Sequence, residues 1–165
     1  MGLSFVFAQF VLAGPGHQPV AMPKDFESLK QLVGTWEGTN KMGDKDQSMT
    51  VIYDVTSAGT ALTEKLMAGT PHEMISVYHK DGNTLGMTHY CALGNQPHMM
   101  LKKADATTFA FEMTKPIGVS SMKEPHMHAV TLTLTDADTL KQEWAHFENG
   151  KLKETTTFTF KRKRS

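Results

Sequence analysis

The sequence predicts an all-β protein: a ten-stranded antiparallel up-and-down β-barrel with a short N-terminal capping helix. Three observations predict this fold. Beyond Gly34 the chain is a succession of short runs rich in Val, Thr, Phe and Tyr, separated by Gly, Asn, Asp and Pro. Its turns are of the hairpin type, the strongest being Asn149-Gly150. A single segment, residues 23–33, has the apolar spacing of an amphipathic helix.

The capping helix is predicted from its ends as well as from its spacing. Pro23 suits the first turn of a helix, and Gly34 suits the position just past the last turn. The apolar residues between them recur at i, i+3, i+6 and i+7 and form one stripe: Phe26, Leu29, Leu32 and Val33. A helix with one apolar stripe needs an apolar surface to cover, and the open end of a barrel offers one.

Ten runs beyond Gly34 are predicted to be strands. They recur about every 8–12 residues with no helical segment between them, which favours a sandwich or an up-and-down barrel. Hairpin connections make neighbouring strands antiparallel. The predicted strands are residues 35–39, 48–55, 61–67, 73–80, 84–91, 98–103, 108–114, 127–135, 140–148 and 153–161.

The first 23 residues contain no charged side chain. Residues 3–13 form an apolar run that is too short for a membrane span, which takes about 20 residues. The run has the length of a signal-peptide core, although the positive residues that normally precede one are missing. We predict that residues 1–22 are a signal remnant or linker and that residues 23–165 are the barrel domain, exported or periplasmic and without stable membrane insertion. A buried or lipid-touching helix, or a cytoplasmic protein, is the alternative.

Composition excludes several classes of protein. Lys and Arg together number 17, as do Asp and Glu, so there is no net charge to attract nucleic acid, and no nucleic-acid partner is expected. The basic run 161–164 is interpreted as a solvated strand end. Cys91 is the only cysteine, which excludes an intrachain disulfide and a zinc site built from several cysteines.

Alternation along the predicted strands separates ordinary core from a candidate site. Some predicted inward faces are apolar or aromatic and need no function: Met49, Val51, Tyr53 and Val55; Phe109, Phe111 and Met113; Phe158 and Phe160. Four other faces mix apolar residues with polar or thiol ones: Glu64 beside Leu62 and Leu66; His89 and Cys91 beside Leu85 and Met87; His126 and His128 beside Val130, Leu132 and Leu134; Gln142 and His146 beside Leu140 and Trp144. In residues 73–80 two faces compete for the interior, so Tyr78 is ambiguous.

A carboxylate, an amide, a thiol and several imidazoles inside one barrel are informative. A buried polar group without a partner costs about 1–3 kcal/mol, so a barrel that needed only stability would have Leu or Val there. A ligand cavity instead combines an apolar lining with a few convergent polar groups. The alternative is that Glu64 and some histidines lie at the barrel rims, in contact with water.

Metal binding and catalysis are alternatives for the same residues. His89 and Cys91 are two residues apart on one strand, so both can face one point and would suit zinc or copper. Glu64 as a base with His89 or His146 as a proton shuttle would suit acid–base catalysis, and Cys91 would suit an activated thiol. The sequence has no H-E-x-x-H, G-x-S-x-G, phosphate-loop or dinucleotide motif. We therefore assign no catalytic residue, no metal ligand and no enzymatic activity.

Two stretches resemble known families. LKQLVGTWEGT, residues 29–39, is similar to the L-x-G-x-W-x-G opening of lipocalin-like and nitrobindin-like barrels, in which the Trp packs across the barrel floor. VYHKDGNTLGMTHYCALGNQP, residues 77–97, resembles bacterial lipocalin-like domains of unknown function, often exported, through its T-H-Y-C-x-x-G-N-Q-P block. The resemblance covers roughly residues 26–161 and implies a ten-stranded barrel with an internal cavity. Nitrobindin-like barrels hold haem through a His on a late strand, and His146 is the nearest counterpart.

The sequence therefore predicts a barrel that binds a small, mostly apolar ligand in its interior cavity. The candidate ligand-binding residues are Glu64, Tyr78, Met87, His89, Cys91, Phe109, Phe111, Gln142, Trp144 and His146. One alternative is a protein that binds haem or a transition metal, or an enzyme, using the His and Glu residues of the cavity. The other is a solidly packed barrel that acts through its surface as a homodimer.

Overall fold

The computed structural model describes residues 20–42 and 45–164, and these form a closed barrel of ten antiparallel strands preceded by one short helix. The fold class predicted from the sequence is confirmed. The predicted signal remnant or linker falls mostly on residues 1–19, which lie outside the described residues. Within the described part of the chain, no helix has the length and apolar character to cross a membrane.

All ten predicted strands are present, with ends that differ from the predicted ones by a few residues, and the predicted helix begins after Pro23. The apolar alternation explains them: along β8, for example, buried and half-buried residues alternate over most of the strand. The elements are α1, Lys24–Leu29; a 3-10 turn, Lys30–Leu32; β1, Gly34–Met42; β2, Lys45–Thr56; a 3-10 turn, Ser57–Gly59; β3, Ala61–Leu66; β4, Met74–Asp81; β5, Thr84–Tyr90; β6, His98–Ala104; β7, Thr108–Glu112; β8, His126–Asp136; β9, Thr139–Glu148; and β10, Lys151–Arg162.

Each strand pairs with its neighbour in the sequence, and β1 pairs with β10 to close the barrel. Closure brings the backbones close together at Gly38, which lies opposite Phe160. A Cβ atom on Gly38 would collide with the carbonyl oxygen of Thr159. Glycine is therefore required here because the seam of the barrel leaves no room for a side chain.

One end of the barrel is closed by the helix. Three of the four residues of the predicted apolar stripe, Phe26, Leu29 and Leu32, are fully buried, whereas Val33 follows the helical segment and is 39% exposed. Burying each of the three side chains stabilises the fold by roughly 1.5–3 kcal/mol. The Trp36 indole N–H donates a hydrogen bond of 2.8 Å to the Leu32 carbonyl. The Arg162 guanidinium stacks 4.0 Å from the centre of the Trp36 ring and donates to the last carbonyls of the helical segment. The helix and the seam strands are thus joined into a rigid floor.

The opposite end, which we call the mouth, is covered by the connection between β7 and β8, residues 113–125. We call this connection the mouth loop. Its backbone accepts hydrogen bonds from the amides of Gln96 and His98 on one side and of Asn149 on the other. Between these attachments Val119 and Met122 pack against the buried core. The mouth loop therefore spans the mouth from the β5–β6 connection to the β9–β10 turn.

A bulge in β8 overturns the predicted placement of His126 and His128 on the face of Val130. The register shifts between Met127 and Ala129, so Met127 lies opposite His146, and His126 lies opposite Phe147. Both imidazoles pack around the Phe147 ring, and His128 stacks on it with ring centres 4.0 Å apart. Phe147 lies on the outer face, opposite the exposed Leu152. The extra residue of the bulge thus turns these histidines toward Phe147, where both remain buried.

Two further local predictions need correction. Val55 is 40% exposed and does not belong to the core, because it lies at the end of β2 where the barrel wall ends. The basic run 161–164 is only in part a solvated strand end. Arg162 is held against the helical segment as described above, and Lys163 donates a hydrogen bond of 2.7 Å to Glu37.

Candidate functional site

The candidate site is organised around a row of polar side chains across four neighbouring strands. The register places Tyr53 on β2 opposite Glu64 on β3, Glu64 opposite Ser76 on β4, and Ser76 opposite His89 on β5. All four side chains are buried. Residues paired across antiparallel strands share one face, so the row runs along the inner wall of the barrel.

Glu64 is the centre of this row. The Tyr78 hydroxyl donates a hydrogen bond of 2.6 Å to Glu64 Oε2, and the Gln142 amide donates one of 2.8 Å to Glu64 Oε1. Tyr78, which the sequence left ambiguous, therefore belongs to the interior of β4. Both carboxyl oxygens have a partner, which is the condition for burying an acidic group without a large loss of stability.

Gln142 connects opposite walls of the barrel. It projects from β9, yet its side-chain nitrogen donates to Glu64 on β3 and, at 2.6 Å, to the hydroxyl of Tyr53 on β2. Its side-chain oxygen accepts a hydrogen bond of 3.0 Å from the Trp144 indole. One amide thus uses both of its hydrogens and its oxygen to hold three strands together.

Burial shifts the ionisation of all three acidic groups in this network. It raises the pKa of the Glu64 carboxyl, although the hydrogen bonds from Tyr78 and Gln142 oppose the shift. It also raises the pKa values of Tyr53 and Tyr78 well above the usual phenol range, and the nearby Glu64 charge adds to the effect. Both phenols therefore act as neutral hydrogen-bonding groups.

His89 extends the network toward the mouth. Its Nδ1 atom shares a hydrogen bond of 3.0 Å with the Ser76 hydroxyl, and its ring packs 4.6 Å from the Trp144 ring, measured between centres. Burial lowers the pKa of His89 from 6.5 to about 4. A neutral imidazole is therefore the resident form at neutral pH, able to accept or to donate one hydrogen bond per nitrogen.

His146 lies nearest the mouth on the same face of β9 as Gln142 and Trp144. Its side chain is 14% exposed, and its Nδ1 atom is 3.4 Å from Glu154 Oε1 on β10. The other ring nitrogen, Nε2, is buried and has no hydrogen-bond partner among residues 20–42 and 45–164. In contrast to the network around Glu64, this end of the site is chemically incomplete.

Apolar side chains fill the space between these groups. Met87 lies opposite Tyr78 in the register, and the Phe111 ring meets the edge of the Tyr78 ring with centres 5.3 Å apart. Met87, Phe109 and Phe111 are all buried. A void large enough for a water molecule would leave accessible surface on the residues that line it, and these three residues have almost none. A ligand could therefore reach this part of the interior only by displacing side chains.

Cys91 stands apart from this network. It follows the end of β5, is half-buried, and its amide donates to the Asn95 carbonyl in a tight turn. Burial raises the pKa of its thiol, which is the reverse of what an activated thiol requires. The structure thus buries eight of the ten predicted site residues in the barrel interior, places His146 half-buried at the rim beside the exposed Glu154, and leaves Cys91 at the edge.

Sequence reasoning missed two partners in the network and one separate cluster. Tyr53 was predicted to be ordinary core, and Ser76 was not singled out, although their positions opposite Glu64 would have revealed both.

The separate cluster lies on the outer face, where His98 lies between Thr88 Oγ1 at 3.0 Å and Asp81 Oδ2 at 2.9 Å. Its ring lies over Gly86, where any side chain would collide with it. This chain of hydroxyl, imidazole and carboxylate connects β4, β5 and β6 through side-chain hydrogen bonds.

A surface depression of about 190 Å³ lies at the helix end and contains none of the candidate residues. It is lined by Ala21, Met22, Pro23, Lys80 and Asn83. The buried polar groups, not this depression, therefore define the candidate site.

Over residues 20–42 and 45–164, no group of three or more His, Cys, Asp or Glu side chains is placed to hold a metal ion. In comparisons with known proteins, no protein-family model and no curated protein matches the chain. The resemblance to lipocalin-like and nitrobindin-like barrels therefore stays a prediction, while the barrel itself is established by its strand order.

Proposed function

We propose that this protein binds a small, mostly apolar ligand inside the barrel, between the polar centre and the mouth. The observation that carries the proposal is the combination of buried polar groups with an apolar wall on one enclosed face. His89, Trp144 and His146 lie on this face in order from the centre outward, and Met87 and Phe111 are among their apolar neighbours in the core. Such a combination is typical of small-molecule sites and unnecessary for stability alone.

The mouth is the entrance that the structure favours. The helix end is closed by a stacked cation and a fully buried apolar stripe. The mouth loop contributes the buried Met113 and two partly buried apolar side chains, Val119 and Met122, to the core. Met is unbranched and adaptable, so an apolar ligand can take the place of such side chains with little loss of packing. Binding then requires displacement of the mouth loop and not of the barrel wall.

Intrinsic fluorescence tests the proposal because the chain has two tryptophans in contrasting places. In the variant Trp36→Phe, Trp144 is the only reporter and lies at the proposed site. Titration with 1-octanol, a small ligand with an apolar chain and one polar group, is expected to change the emission of this variant and to saturate. The matched variant Trp144→Phe, which reports from the helix end, is expected to show no saturable change.

Two results would contradict the proposal. One is an emission change that grows linearly with 1-octanol up to its solubility limit, which indicates partitioning and not a site. The other is an equal response in both variants, which indicates binding outside the interior. Thermal unfolding of each variant in buffer is the control that both remain folded.

A further inference from the structure

The mouth contains unpartnered hydrogen-bond acceptors. Two buried side-chain atoms lack a hydrogen-bond partner within residues 20–42 and 45–164: Nε2 of His146 and Oδ1 of Asn95. Both lie at the mouth end, His146 near the end of β9 and Asn95 in the connection between β5 and β6. The polar centre around Glu64 contributes no such atom. The buried acceptors that lack a donor in the described residues therefore both lie at the mouth.

The hydrogen-bonding state of His146 follows from its neighbour. A carboxylate only accepts hydrogen bonds, so the contact of Nδ1 with Glu154 Oε1 at 3.4 Å places the ring hydrogen on Nδ1. In the neutral ring, Nε2 then carries a bare lone pair. Met127 is the cross-strand neighbour of His146 on β8 and supplies no strong donor.

The state of Asn95 is fixed in the same way. Its side-chain nitrogen donates to Glu124 Oε1 at 2.8 Å and to the Pro125 carbonyl at 2.9 Å, both on the mouth loop. Its oxygen is therefore the atom left without a partner. Asn95 is 7% exposed, so water does not reach it freely.

A group that satisfies a lone pair is either a hydrogen-bond donor or a metal ion. The metal would need additional ligands, and the described residues bring no three His, Cys, Asp or Glu side chains together for one. We propose that the polar end of the ligand is a hydrogen-bond donor, such as a hydroxyl, which donates to His146 Nε2. This inference rests on the proposed binding of an apolar ligand and adds the chemical class of its polar group.

Two isomeric probes separate donor recognition from binding itself. 1-Octanol and heptyl methyl ether have the same atoms and a similar apolar chain, but the ether cannot donate a hydrogen bond. The ether leaves the buried acceptor unpaired, so 1-octanol is expected to bind about tenfold tighter, or more, to the Trp36→Phe reporter. Adding His146→Phe is expected to reduce the ratio of the two dissociation constants to about one. Adding His72→Phe instead, at an exposed turn, should leave the ratio unchanged.

The outcomes are distinct. Equal affinity of the two isomers for the unaltered site overturns the donor inference and leaves the proposed function standing. Saturable binding of neither isomer overturns both. A second readout is independent of the folding of any variant: the imidazole 15N resonance of His146 Nε2 in the wild-type protein. This resonance is expected to move on addition of 1-octanol but not of the ether; an equal shift with both isomers contradicts the inference.

Discussion

The centre of the barrel and its mouth use the same kinds of side chain with opposite results. Around Glu64, each carboxyl oxygen and every hydrogen-bonding atom of the Gln142 side chain has a partner within 3.0 Å. At the mouth, His146 and Asn95 each keep one buried atom without a hydrogen-bond partner in the described part of the chain. Satisfied buried networks make a structure rigid, whereas unsatisfied ones need an explanation in function. The comparison therefore assigns a structural role to the centre and supports the proposal that the ligand binds at the mouth.

Backbone geometry separates the two regions in the same way. The strands on both sides of His146 carry bulges, β8 between Met127 and Ala129 and β10 between Leu152 and Glu154. By contrast, the strand pairs around Glu64, from β2 to β5, show no register shift. Bulges occur often beside binding sites because they redirect side chains. Here they bring Glu154 opposite His146, where it orients the ring.

The largest expected effect is at the centre. Gln142→Leu leaves the Trp144 indole N–H, one Glu64 oxygen and the Tyr53 hydroxyl without their shared partner. We expect the free energy of unfolding to fall by roughly 3–5 kcal/mol, as for other broken buried networks. The measurement is urea denaturation, with Glu143→Leu on the adjacent outer position as control, expected to change stability by less than about 1 kcal/mol. A loss as small as that of the control would show that the network is dispensable.

The next effect depends on pH. The folded pKa of His89 is about 4 against 6.5 unfolded, so the unfolded chain binds more protons between these values. The His89 contribution to stability is therefore present above pH 6.5 and is lost as pH falls toward 4, by roughly 3 kcal/mol in total. Glu64 acts in the opposite sense, because its raised pKa favours the folded state at low pH. Unfolding of wild type and His89→Phe at pH 7 and pH 4.5 isolates the His89 contribution, since only wild type contains it. Equal acid destabilisation of the two proteins would contradict the assignment.

A single donor to Glu64 has a smaller effect. Tyr78→Phe removes the 2.6 Å hydrogen bond to Oε2 and leaves the ring in place. We expect a loss of about 1–3 kcal/mol in the free energy of unfolding, because a buried carboxyl oxygen remains unpaired. Tyr90→Phe, at a tyrosine that is 51% exposed, is the matched control and should change stability by less than about 0.5 kcal/mol. Similar losses of stability in both variants would show that the buried Tyr78 hydroxyl contributes no more than the exposed Tyr90 hydroxyl.

The smallest expected effect on stability is at the mouth. His146→Leu replaces a ring with an unsatisfied nitrogen by an apolar side chain, so the loss of packing and the relief of the unpaired acceptor partly cancel. We expect a change within about 1 kcal/mol of zero in urea denaturation, together with loss of the preference for donor ligands. A loss as large as that of Gln142→Leu would make His146 part of the structural network.

Much of the fold could be predicted because the inward and outward positions alternate regularly in most strands. Glu64, His89, Gln142 and Trp144 follow this alternation and lie inside as predicted. His126 and His128 are buried as well, but one extra residue in β8 shifts the register and packs them around Phe147, and no sequence pattern marks this bulge. The contact between Gln142 and Glu64, which are 78 residues apart, depends on how the closed barrel brings β9 near β3. Such a pairing follows from strand tilt and closure and not from local sequence.

The most direct test uses the two indole N–H signals of the wild-type protein in a 1H–15N NMR spectrum. Trp144 lies between the polar centre and the mouth, whereas Trp36 lies under the helix. On titration with 1-octanol, binding at the mouth predicts a saturable shift of the Trp144 signal and an unchanged Trp36 signal. A Trp144 signal that stays in place up to the solubility limit, or a shift confined to Trp36, would contradict the assignment of the mouth as the binding site.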